Sequence, residues 1–284
     1  MTPYSIEDLY KEINTIDGEF GEKTDKSEFA NGSIRKYCPY REGGFHQGLG
    51  TCYSYFEMAS SGVIHLVENL KKYNLEYDKL AEYAILFLSY KLKQHSQHKL
   101  TNLNTVYTRD IVTNKYYNNK IKDNGPTYKE IIDKKKDLMN MNINEISKFN
   151  EAFSILCKLY NEIKNNKLDC TKYSSYPEKF ANKFKELNND SNINGSTSYT
   201  KLLSTLSDDY NHLKNKYGND KSCNFLPLPK VKAPPSKLIP ALSTFSVIPV
   251  FLGIAYKVND KKFINIILKI ILIKYMQTLT SYAS

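Results

Sequence analysis

A chain of 284 residues with 41% hydrophobic content is long enough for one or two domains around a buried core, which argues against a disordered protein. Its 40 basic residues outnumber 30 acidic ones, giving a formal net charge of +10, yet only Arg35, Arg41 and Arg109 are arginines. Arginine is the side chain suited to bidentate phosphate recognition, and no basic stripe is interleaved with stacking aromatics, so nucleic acid is set aside as a partner and the lysines read as solvated helix faces.

The first residues, MTPYSIEDLYKEIN, are acidic early and lack a continuous apolar run, so no cleavable signal peptide is expected there. Residues 14–57 carry most of the glycines, in GEFGEK, NGS and EGGFHQGLG, and read as loop-rich and stapled by cysteine. Val63, Leu66, Val67 and Leu70 then fall on one helical face, with Ser60 or Ser61 as the N-cap and His65 at the boundary of that face. The next stretch, DKLAEYAILFLSYKLK, has almost no polar face, which predicts a central helix buried all round but too short to span a bilayer.

Residues 100–126 are rich in Asn and Tyr and predict a helix followed by a turn at Gly125-Pro126. Asn142 with Glu145 three residues later forms a capping box, and Ile146, Phe149, Phe153, Leu156, Tyr160 and Ile163 keep helical spacing behind it. The polar run NNDSNINGSTS at 188–198 reads as a loop, after which Leu202 or Leu203, Leu206, Tyr210, Leu213 and Tyr217 restore the helical period. No internal repeat and no run of alternating strands is visible. Residues 1–224 are therefore expected to be an all-α helical bundle ectodomain.

Residues 225–237, FLPLPKVKAPPSK, hold four prolines and three lysines and predict an extended, semi-rigid spacer. Residues 238–256, LIPALSTFSVIPVFLGIAY, carry no charge over 19 positions; at ~1.5 Å per residue such a helix is ~28 Å long, the thickness of a bilayer's hydrocarbon core. They predict a single C-terminal transmembrane helix. Residues 257–284 form a short lysine-containing tail, in which FINIILKIILIKYM at 263–276 is interrupted by Lys269 and Lys274 and reads as an interfacial helix.

All five cysteines, Cys38, Cys52, Cys157, Cys170 and Cys223, precede the apolar segment. That placement suits an N-terminal side in an oxidising space, where they would form disulfides; the odd number leaves at least one out, and the pairing is open. Lysines 257, 261, 262, 269 and 274 follow the segment with only Asp260 for an acid, which favours the same orientation under the positive-inside rule.

Chemistry is harder to find. His95 and His98 are three apart, but a third metal ligand is missing and they read as exposed polar residues at a helix end. Neither Cys52 nor Cys157 has a local nucleophile signature, and no phosphate loop, GxSxG elbow or HExxH motif occurs. The reading is accordingly of a binding or display protein without catalytic, cofactor or metal residues. Asn31, Asn189 and Asn194 begin N-glycosylation sequons in predicted loops.

The blocks KYCPY (36–40), DKLAEYAILFLSYKL (78–92), LDCTKY (168–173), YTKLLSTLSDDYNHLKN (199–215) and SKLIPALSTFSVIPVFLGIAYK (236–257) resemble, in order, the pir multigene family of malaria parasites, the variant proteins called Cir, Yir, Bir or Vir. The resemblance implies a helical, disulfide-containing ectodomain on one transmembrane helix, exported to the infected erythrocyte and acting in antigenic variation, immune evasion and host-cell adhesion, with no enzymatic activity. The chain departs from the family pattern at Leu9-Tyr10 and Tyr173, where members often carry further cysteines, and in its aliphatic tail. Its partners would be the membrane and either a host receptor or a parasite protein. The alternative reading is a structural or trafficking protein of the parasitophorous vacuole membrane or exported vesicles.

Overall fold

Helix α1, Ile6–Asp17, places Ile6, Leu9, Tyr10, Ile13 and Ile16 on one buried face at three-and-four spacing. The Ser5 hydroxyl accepts from the Asp8 amide, and Glu7 and Asp8 in the first turn suit the positive end of the helix. The computed structural model describes residues 5–40, 49–96, 102–164, 167–219 and 223–232. A short antiparallel hairpin follows, β1 (Phe20–Glu22) against β2 (Glu28–Ala30), with Gly21 opposite Phe29. One helical turn, α2 (Gly32–Arg35), leads into the first cysteine.

The centre is built from α3 (Tyr55–Leu70) and α4 (Tyr77–Gln94), packed on each other, with α3 also on α1. Ser54, not Ser60 or Ser61, caps α3: the apolar face starts a turn earlier, with Tyr55, Met58 and Ala59, and the two small serines are buried inside the helix. Ser61 donates to the Tyr37 carbonyl at 3.1 Å. Gly62 marks the closest approach of α3 to the hairpin, since a Cβ there would lie 2.6 Å from the Phe20 ring. Helix α4 is buried on every side from Leu80 to Ser89, as its composition predicts.

Between α4 and the next long helix the predicted single helix is replaced by short pieces. A helical turn, α5 (Asn104–Val106), widens into a π-turn at Tyr107–Ile111, a 3₁₀ turn covers Lys115–Asn118, and α6 (Tyr128–Asp133) starts from a Thr127/Glu130 capping box. The apolar residues here, Val106, Ile111, Tyr117 and Ile121, follow no single period, so the chain turns repeatedly to bury each. Helix α7 (Ile143–Asn161) has the expected Asn142/Glu145 capping box and buries Phe149, Phe153 and Leu156 completely. It packs on α1, α4 and α8.

A second small hairpin, β3 (Ile163–Lys164) with β4 (Lys167–Leu168), precedes α8 (Tyr176–Asn189). The expected loop at 188–198 contains the end of α8 and a further helical turn, α9 (Ser191–Asn194), capped by Asp190. The turn forms because Ile193 is buried among the helices, which outweighs the polar composition around it. Helix α10 (Thr197–Tyr217) closes the bundle. Two hairpins thus join a mainly helical fold that the sequence reading had as wholly helical.

Residues 223–232 hold neither helix nor strand and lie against the bundle. The buried Asn188 side chain donates to the Lys230 carbonyl and accepts from the Lys232 amide, both at 2.9 Å, as a neighbouring strand would. Phe225 meets the Tyr210 ring edge-on at 5.4 Å, and Leu228 and Val231 rest on the core. The first part of the predicted spacer is therefore a strap on the domain. The chain divides into units 1–234 and 235–284; the predicted transmembrane helix at 238–256 and the tail at 257–284 lie outside the described residues. No helix among the described residues is long and apolar enough to cross a membrane.

Candidate functional site

The cysteines sort into two staples and one free thiol. Cys38 pairs with Cys52 and Cys170 with Cys223, while Cys157, on α7, is fully buried and unpaired. Cys157 therefore drops out of the five candidate disulfide residues: it faces the core, where burial pushes its thiol well above the usual range. That also removes it as a nucleophile. The first staple holds two exposed rings, Tyr40 and Tyr53, 4.8 Å apart and 48% and 66% exposed. Gly50 sits inside this loop because a Cβ would meet the Cys38 carbonyl at 2.4 Å. The second staple fixes the start of the strap, at Cys223, to the segment after β4.

The histidines are dispersed. His65 contacts Glu19 at 3.1 Å, and His212 contacts Glu7 at 3.4 Å. His95 is not an exposed helix-end residue: its side chain is 9% exposed, lies 2.9 Å from Glu28 and packs on Tyr55 with ring centroids 4.5 Å apart. His46 and His98 lie outside the described residues. Among the described residues no three His, Cys, Asp or Glu side chains gather in a way that would hold a metal.

A buried carboxyl lies where four helices meet. Asp209 on α10 is 3% exposed, accepts from the Tyr10 hydroxyl at 2.8 Å and from Tyr83 at 2.9 Å, and its main-chain carbonyl accepts from Tyr160 at 2.8 Å. Burial pushes its carboxyl up to about 7, against the pull of the two phenol donors and Lys79. Tyr10 in turn stacks on Tyr160, with centroids 4.1 Å apart and planes at 5°. The cluster joins α1, α4, α7 and α10. Asp209 was detectable, because its position three after Leu206 and four before Leu213 places a charge on an apolar helix face.

A second buried charge, Lys91, is 1% exposed and donates to the Asp17 carboxylate at 2.7 Å and to the Asp17 and Phe20 carbonyls at 2.8 Å each. It thereby ties the end of α1 and strand β1 to α4. A third, Lys135, bridges Glu82 at 2.9 Å and Asp78 at 3.3 Å, and Glu82 also accepts from Thr205. Each of these groups is engaged in joining one element to another. None lines the cleft beside Tyr77 or the groove beside Tyr176.

Those clefts are lined by lysine. One, of about 800 Å³, lies between Lys71, Tyr77, Lys120 and Lys122. The other, of about 620 Å³, runs between α4, α7 and α8 and includes Ile155, Lys158, Tyr176 and Lys179. Of the sequon asparagines, Asn31 and Asn189 are exposed, whereas the Asn194 amide nitrogen donates to the Asn188 carbonyl at 3.0 Å. Asn194 is spent on holding the α8–α9 corner.

Comparisons with known proteins agree with this architecture. No curated protein matches the chain. A solved structure described as a Plasmodium PIR protein ectodomain is similar over 80% of this chain and 100% of its own, at 31% identity and a TM-score of 0.56. The family profile for the "Plasmodium variant antigen protein Cir/Yir/Bir" matches residues 10–257, which takes in both staples, the strap and all of the bundle after the first turn of α1. The chain belongs to the Plasmodium variant antigen family Cir/Yir/Bir.

Proposed function

We propose that the protein is a variant surface antigen exported to the infected erythrocyte, where residues 1–232 are held outside the cell by a transmembrane helix at 238–256 and act in antigenic variation, immune evasion and host-cell adhesion. The observation that carries this reading is the family match over residues 10–257, which extends past the ectodomain through the charge-free segment. Two disulfides fit an oxidising, extracellular setting. The buried, mutually engaged core charges fix the scaffold and leave the surface free to vary, as a displayed antigen requires. Trypsin treatment of intact infected cells tests the proposal: the ectodomain should be removed. Full protection would refute it.

A further inference from the structure

We propose that the groove between α4, α7 and α8 is a binding site for an anionic saccharide, a sugar bearing carboxylate or sulfate groups. Lysines and carboxylates around this groove are not evenly matched. Glu151 and Glu186 are taken up by Lys93 at 3.6 Å and by Lys183 at 2.8 and 2.6 Å. Lys158 and Lys179 have no carboxylate within ion-pair distance among the described residues. Both are drawn to one ring instead, with ammonium nitrogens 5.5 and 5.1 Å from the centroid of Tyr176. Two like charges converging on one tyrosine, at the wall of an open groove of about 620 Å³, leave an uncompensated positive site of ligand size.

An anion entering the groove would exchange two weak, exposed cation–π contacts for charge-assisted hydrogen bonds. Both lysine stems are flexible enough to make that swing, which also frees the Tyr176 ring. The freed ring then offers its negative face to the C–H edge of a sugar, and Tyr173, 4.6 Å away with Lys172 over it, extends the same surface. Ser154 and Asn182 add neutral polar groups to the groove lining, able to pair with sugar hydroxyls. Lysine in place of arginine presents point charges without the guanidinium fork, so an anion here is held by charge and not by bidentate geometry. The display reading is needed only to say that the saccharide comes from a host cell surface; the binding itself stands apart from it.

Calorimetry on the full chain in mild detergent, titrated separately with a heparin tetrasaccharide and with 3′-sialyllactose, tests the site and tells sulfate from carboxylate. At least one should bind at a single site. Lys158→Ala with Lys179→Ala should weaken binding by about tenfold or more, the loss expected for two charge-assisted hydrogen bonds. Lys120→Ala with Lys122→Ala, an equal loss of charge at the other cleft, should weaken it less than about twofold. Tyr176→Ala, which keeps both lysines, should weaken binding as well, while circular dichroism of each variant stays unchanged. No binding of either saccharide, equal weakening by both lysine pairs, or tighter binding of a single-stranded DNA of equal charge would each overturn the proposal. Trypsin protection on intact cells, by contrast, would overturn only the display reading.

Discussion

Asp209 is the place where opposing forces can be separated by one substitution. Its carboxyl titrates near 3.8 ordinarily and at about 7 in the fold. The folded value is the higher one, so the folded chain keeps a proton that the unfolded chain has released between the two. The stability this contributes is fully present below pH 3.8, declines as pH rises, and is gone above pH 7. A gap of about 3 units corresponds to ~4 kcal/mol in all, of which ~3 kcal/mol falls between pH 5 and pH 8. Asp209→Asn cannot titrate, and its amide oxygen can still accept from Tyr10 and Tyr83. Urea unfolding of both proteins at pH 5, 6, 7 and 8 should therefore show wild-type stability falling relative to the variant by ~3 kcal/mol across the range. Parallel curves would refute the reasoning. They would mean that two tyrosine hydroxyls, each worth ~1.5–3 kcal/mol to a charged acceptor, outweigh desolvation and keep the carboxylate ionised.

Replacing Cys170 and Cys223 by serine should cost ~4 kcal/mol and replacing Cys38 and Cys52 ~3 kcal/mol, because the closed loops differ in sequence separation, 53 against 14. Urea midpoints would show the order, and hydrogen exchange would show residues 225–232 loosened by the first pair alone. Gly62→Ala drives a methyl into the Phe20 ring and should cost ~1–3 kcal/mol by thermal melting; an unchanged midpoint would mean the hairpin yields freely. Lys91→Met keeps the volume but takes the ammonium from two carbonyls and from the Asp17 carboxylate, which keeps Gln94 and Tyr90 as donors, and should cost ~3 kcal/mol, whereas a loss under ~1 kcal/mol would show that water reaches the site.

Helix α7 was legible because two independent signals agree on it, the Asn142/Glu145 capping box and the unbroken three-four spacing from Ile146 to Tyr160. Helix α4 was legible from its lack of a polar face. Helices α1 and α8 carry comparable apolar spacing, Leu9, Ile13 and Ile16 in one and Phe180, Phe184 and Leu187 in the other, but interleaved acids and lysines mask it in short windows. Proline in the strap announces an extended chain and says nothing of its contact with Asn188, 42 residues away. Cysteine pairing was not legible at all, since spacing leaves several pairings equally open and only the fold brings Cys170 to Cys223. The groove beside Tyr176 combines residues of three helices and exists only once they are packed. Asp209 and Lys91 are legible as charges on apolar faces, which require buried partners.

Adhesion and immune evasion both require the bundle to be displayed outside the cell. An antibody raised against residues 5–232, applied to infected erythrocytes before and after permeabilisation, tests it most directly. Intact cells should be labelled, with little increase on permeabilisation. Labelling only after permeabilisation would contradict it.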